Sequence, residues 1–202
     1  MNLRSRIGWF FPAAFFVACV ACGQQQNCPE ITSIARIARA GSLNSLAREK
    51  GKVGASYRVE VVFAARKFEL NPTRKSAESL LGLIPNDDDQ RLVWITLDND
   101  LCDSESTRDM SLLDRLETRL PHDLARAVLL APDKMVDYVA YAEEAVGNPE
   151  NDYGIQMQSV CRLDHAGFLK AVAALPPKDK DWFVHHIFSP DNCKALILPE
   201  AY

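Results

Sequence analysis

The chain has 202 residues, 48% of them hydrophobic and 25% charged, with a formal net charge of −4 at pH 7. That apolar share excludes wholesale disorder, and the length is that of one domain rather than several. A net-acidic balance also excludes nucleic acid as an expected partner.

The first element in chain order is an export signal. Arg4 and Arg6 make a positive start, no acid precedes Glu30, and residues 7–21 are apolar or small. This run of 15 residues falls short of the roughly 20 that a bilayer span requires, and it fits the hydrophobic stretch of a signal peptide. Polarity breaks at Cys22-Gly23-Gln24-Gln25-Gln26. Cys19-Val20-Ala21-Cys22 resembles the lipobox of bacterial lipoproteins, with Ala21 directly before the Cys and Cys19 standing where Leu is usual. The resemblance implies cleavage after Ala21, a lipid on Cys22 and attachment to an envelope membrane. Phe16-Val17-Ala18-Cys19 is a poorer second junction, and plain secretion by cleavage after Ala21 is the alternative. The expected organisation is a signal over 1–21, an anchor and short linker over 22–28, and one helical domain over 29–202.

Helical spacing then recurs to the C-terminus, nearly every stretch ending at Pro or Gly. Ile31, Ile34 and Ala38 share a face before Gly41. Tyr57, Val61, Ala65 and Phe68 share another before Asn71-Pro72, although Tyr57, Val59, Val61 and Phe63 also alternate as in a strand. Helix is the preferred reading there. Leu80, Leu81 and Ile84 precede Pro85, and Asn86-Asp87-Asp88-Asp89 offers caps for a helix carrying Leu92, Ile95 and Leu101. Met110, Leu113, Leu116 and Leu120 predict a helix that stops at Pro121, and Leu124, Ala127, Val128 and Leu130 a separate one before Pro132. Met135 to Ala142, then Ile155, Val160 and Leu163, then Phe168, Leu169 and Val172, and finally Trp182, Phe183 and Ile187 complete the set. The fold class expected is all-α, a compact multi-helix domain. Pro85, Pro132 and Pro177 recur at intervals of 47 and 45 residues, close to the length of HEAT-type repeats, which suggests stacked helical pairs.

Four cysteines follow the signal region: Cys28, Cys102, Cys161 and Cys193. An even number in an oxidising compartment predicts two disulfides, with Cys161–Cys193 and Cys28–Cys102 the preferred pairing among three. They have 73, 58 and 31 residues between them and include no Cys-x-x-Cys pair, so zinc is not expected. Charge is divided along the chain. Residues 22–75 hold ten Lys or Arg against four acids, a balance of +6, while residues 76–202 hold 11 against 23, a balance of −12.

Candidate chemistry is sparse. His185-His186 with Asp181 one turn earlier supplies too few ligands for a metal, and neighbouring histidines point about 100° apart on a helix. Asp98-Asn-Asp100-Leu-Cys102-Asp103 begins like a calcium loop, but Asp103 stands where the turn needs Gly. Cys161 near Asp164-His165 would be a nucleophile only as a free thiolate, and a disulfide is the better expectation. Glu143-Glu144 and Asp87 to Asp89 read as solvated or capping acids. No catalytic residue, metal or cofactor is therefore expected. The expectation is a non-catalytic envelope lipoprotein, held at the membrane by Cys22, that binds a basic exported protein as an inhibitor or immunity protein would. The alternative is a peptidoglycan- or lipid-directed enzyme.

Overall fold

The computed structural model describes residues 29–95, 97, 107–146 and 152–186. The lipobox, Cys28, Cys102, Cys193 and the Asp98–Asp103 segment lie outside the described residues. Every regular element among the described residues is helical, so the all-α expectation holds. The α-helices in chain order are α1 (Pro29–Ala38), α2 (Leu43–Lys50), α3 (Tyr57–Leu70), α4 (Arg74–Leu81) and α5 (Asp88–Ile95). There follow α6 (Thr107–Leu130), a 3-10 turn at Pro132–Lys134, α7 (Met135–Val146), α8 (Asp152–Leu163), α9 (His165–Ala174) and α10 (Pro177–His186).

Short side chains start many of these helices by occupying backbone N–H groups that have no intrahelical partner. Ser42 and Ser45 form a reciprocal capping box at α2, and Thr73 and Ser76 do the same at α4. Ser56 accepts from the Val59 N–H at α3, and Asp87 accepts from the Gln90 N–H at 2.7 Å beside α5. At α9, Asp164 accepts from the Gly167 N–H at 3.0 Å. A Cβ on Gly167 would lie 2.3 Å from that capping carboxylate, so the close approach is why glycine serves there.

The 57–63 stretch is helical. Val61 and Val62 are both fully buried, which a strand with one inward face does not allow. Tyr57 donates its hydroxyl to the Leu83 carbonyl and accepts from Trp94 Nε1 at 2.8 Å, binding α3, α5 and the segment before α5 together. Trp94 meets the Tyr141 ring edge-on at 5.4 Å, which joins α5 to α7.

Two sequence expectations are corrected. No break occurs at Pro121; α6 runs from Thr107 through it to Leu130. Pro121 cannot donate to the Glu117 carbonyl, a cost of roughly 3 kcal/mol inside a helix. Leu113, Leu116, Leu120, Leu124, Ala127 and Val128 nevertheless form one buried stripe across it. Each fully buried Leu contributes about 1.5–3 kcal/mol, so the packing of both halves outweighs the lost bond. Leu92, Ile155 and Leu163, grouped by spacing with apolar faces, are exposed. Helix α8 turns Gly154, Met157, Val160 and Cys161 inward, which carries Ile155 and Leu163 to the opposite side.

Helix α6 is the central element. It packs against α1, α3 and α4 and, separately, against α8. Helices α1 to α4 also pack among themselves, as do α7 to α10, so two helix groups meet largely through α6. Solenoid repeats touch only their sequence neighbours, whereas α6 gathers helices from both ends of the chain. The prolines at 85, 132 and 177 sit just before or at helix starts, where the missing N–H of proline is not needed.

Candidate functional site

The most unusual chemistry lies where α3 crosses α6. Glu69 follows Val62 and Ala65 by seven and four residues, so it falls on the buried face of α3, with its side chain only 7% exposed. Asp123 sits three residues after Leu120 and four before Ala127, inside the apolar stripe of α6, and is 0% exposed. Sequence reasoning passed over both. The legible signal was an acid at a position where helical spacing calls for a hydrophobe.

The two carboxylates are treated differently by their surroundings. Glu69 Oε2 accepts from Arg66 Nη1 at 2.5 Å, and Oε1 pairs with Arg119 Nη1 at 3.1 Å. One oxygen thus accepts a guanidinium hydrogen bond and the other faces a second guanidinium in an ion pair, which draws the two arginines to one carboxylate. Arg66 also donates from Nε to the Ala40 carbonyl at 2.9 Å, tying α3 to the end of α1. Asp123 accepts no hydrogen bond at either oxygen. Its ion pair with Arg126 Nη1 spans 3.7 Å, and the Arg126 guanidinium lies 5.6 Å from the Phe68 ring centre. Burial, with Glu69 adding repulsion, pushes the Asp123 carboxyl up to about 6, against the pull of Arg119, Arg126 and His122.

Beside Glu69 a groove of about 450 Å³ opens between α1, α3 and α6. Ala38, Leu112 and Leu116 supply apolar walls, and Arg66, Arg115 and Arg119 bring guanidinium groups to it. Glu69 and Asp114 are its acids. A set of cations over apolar walls, with one acid locked between two of them, is suited to holding an anionic group. Two further clefts occur among the described residues. One of about 450 Å³ lies between Pro85, Asn86 and Arg91 and the α7 residues Asp137 and Tyr141. Another, of about 310 Å³, is lined by Trp94, Glu117, Asp152 and Tyr153. Around the latter, Glu117 accepts from the Leu97 N–H at 2.8 Å and the Tyr141 and Tyr153 hydroxyls meet at 3.2 Å. Burial pushes the Tyr141 hydroxyl up to about 12, so these phenols serve as neutral hydrogen-bonding groups that join α7 to α8.

The residues singled out from sequence are scattered. Cys161 is fully buried on α8 and disulfide-bonded, so it offers no thiolate. Its partner lies outside the described residues, as do Cys22, Cys28, Cys102 and Cys193. Asp164 is the cap of α9, and His165 is exposed at the first position of that helix. His185 and His186 end α10 with side chains outside the described residues, and Asp181 is exposed earlier on it. Asp87 caps, Asp88 pairs with Arg91 at 3.5 Å, and Asp89 is exposed. Glu143 is half-buried on α7, and the Glu144 side chain lies outside the described residues. No group of His, Cys, Asp and Glu placed to hold a metal ion occurs among the described residues. No protein-family model, curated protein or solved structure matches the chain.

Proposed function

We propose that the chain is a non-catalytic envelope lipoprotein, anchored through Cys22, whose acidic helices bind a basic exported protein. An inhibitor or immunity protein acting against a cell-wall hydrolase or toxin is the form this would take. The observation that supports it most is the disposition of charge about α6. Residues 29–81, which build α1 to α4, hold ten Lys or Arg against five acids. Residues 135–186, which build α7 to α10, hold four against eight. Since these groups meet largely through α6, the division in sequence becomes a division in space. A basic group near an anchored N-terminus is drawn to an anionic bilayer surface. An acidic group on the far side of α6 then steers a basic partner and raises its association rate. Ile155 and Leu163, exposed on acidic-side helix α8, add the apolar contact that specific interfaces place among polar neighbours. In this reading the domain is stapled by Cys161–Cys193 and Cys28–Cys102.

The test uses the mature protein in mild detergent, titrated calorimetrically with a purified basic lysozyme-type wall hydrolase while wall digestion is followed. One-to-one binding that weakens with salt and arrests digestion is the expected result, unchanged by His185→Ala or His186→Ala. Intact mass should show a diacylglyceryl group on Cys22. Wall-fragment or lipid turnover by the protein itself, abolished by either histidine substitution, would replace this reading with the enzyme reading.

A further inference from the structure

We infer that the groove between α1, α3 and α6 is a binding site for the phosphate headgroup and first acyl carbons of an anionic membrane lipid. Three features carry the inference. First, the site is prearranged for an anion. The buried Glu69 carboxylate accepts an N–H from Arg66 and forms an ion pair with Arg119, and a guanidinium has five N–H donors in a fixed fork. The same carboxylate that neutralises one charge thus orients two cations, and Arg115 adds a third against Asp114. The lining carries one net positive charge within a helix group that is itself basic. Guanidinium forks match phosphate oxygens in geometry better than an ammonium does.

Second, Ala38, Leu112 and Leu116 form the apolar part of the wall. A free phosphate gains nothing from those side chains, whereas an acyl chain joined to a phosphate gains about 0.8 kcal/mol for each CH₂ it buries. The groove of about 450 Å³ holds a headgroup and a short length of chain, not a whole lipid. The combination of charge and apolar wall selects an anionic amphiphile.

Third, the covalent path permits it. Pro29 follows Cys22 by seven positions, a reach of at most about 25 Å. Ala38 lies at the far end of α1, about 14 Å further along. A lipid beside the anchor is therefore within reach of the groove, and engaging it would set the basic helices against the bilayer. The inference rests on the anchored reading only for where the lipid is met; binding itself is a property of the folded domain.

The experiment titrates the mature protein with short-chain dihexanoyl phosphatidylglycerol below its micellar concentration, with dihexanoyl phosphatidylcholine, and with inorganic phosphate. Saturable one-to-one binding of phosphatidylglycerol is expected, at least tenfold tighter than either of the others. Arg115→Gln, at an exposed position, should weaken it at least fivefold with an unchanged circular dichroism spectrum. Arg119→Lys keeps the charge beside Glu69 but loses the fork, and should weaken it less than Arg119→Gln. Equal binding of phosphatidylcholine would overturn the charge recognition. Equal binding of inorganic phosphate would reduce the site to a phosphate site and overturn the lipid assignment. Full affinity in Arg115→Gln and Arg119→Lys alike would place the lipid elsewhere. Because Cys22 is examined separately by mass, a lipidated chain that ignores phosphatidylglycerol defeats this inference alone. An unlipidated chain that binds it defeats only the anchor.

Discussion

Replacing Asp123 by Asn should change how stability depends on pH more than it changes stability itself. The carboxyl is pushed up to about 6 in the folded protein, against about 3.9 in an unfolded chain. A raised carboxyl favours the protonated form, so its penalty is absent below about pH 4, grows as pH rises, and is complete above about pH 6. Two units correspond to about 3 kcal/mol. The side chain is 0% exposed and accepts no hydrogen bond, so solvent screening removes little of that. Asn cannot ionise, but it buries an amide in the same place, which shifts its stability by an amount that does not vary with pH. The measured quantity is therefore a difference of differences. Urea unfolding at several pH values between 4 and 8, with the disulfides intact, gives the stability of each protein. Asp123→Asn relative to the native chain should gain about 2 kcal/mol between pH 4 and pH 8, nearly all of it below pH 7. Other groups titrate alike in both proteins and cancel. Two parallel stability curves would refute the reasoning, because they would mean that Asp123 ionises as freely in the fold as in the unfolded chain.

Three further outcomes follow from the packing. Pro121→Ala restores an N–H for the Glu117 carbonyl within α6 and should raise stability by about 1–2 kcal/mol once lost ring contacts are deducted; a fall in the urea midpoint would count against the account of α6. Asp164→Ala removes the cap of α9 and should cost about 1 kcal/mol, read by the same method. Reduction should lower the melting temperature by several degrees, since each bridge contributes about 2–4 kcal/mol, and a denatured, unreduced sample should show no free thiol among Cys28, Cys102, Cys161 and Cys193. Peptide mapping that joins Cys161 to Cys28 would overturn the proposed pairing while sparing the two bridges.

The helices themselves were written locally. Apolar residues three and four apart, with Asp87 and a Pro or Gly near many helix ends, are enough to place most of α1 to α10, because capping and amphipathic periodicity act within a few residues. The same logic resolved residues 57–63, where helical spacing and alternation coexisted and helix prevailed. Local reasoning failed where distant contacts outweighed it. Proline at 121 is a strong local stop, and only the burial of Leu113 to Val128 against helices from both halves of the chain carries α6 through it. Likewise, the face that α8 buries was decided by its neighbours, so Leu163 points outward although its spacing allowed either side. Glu69 and Asp123 are 54 positions apart in the chain, and no local pattern pairs them. Their meeting, the groove of arginines beside Glu69 and the separation of basic from acidic helices all depend on how α6 is wrapped. Coulombic energy and burial depend on distance in space, and that distance exists only once the helices have packed.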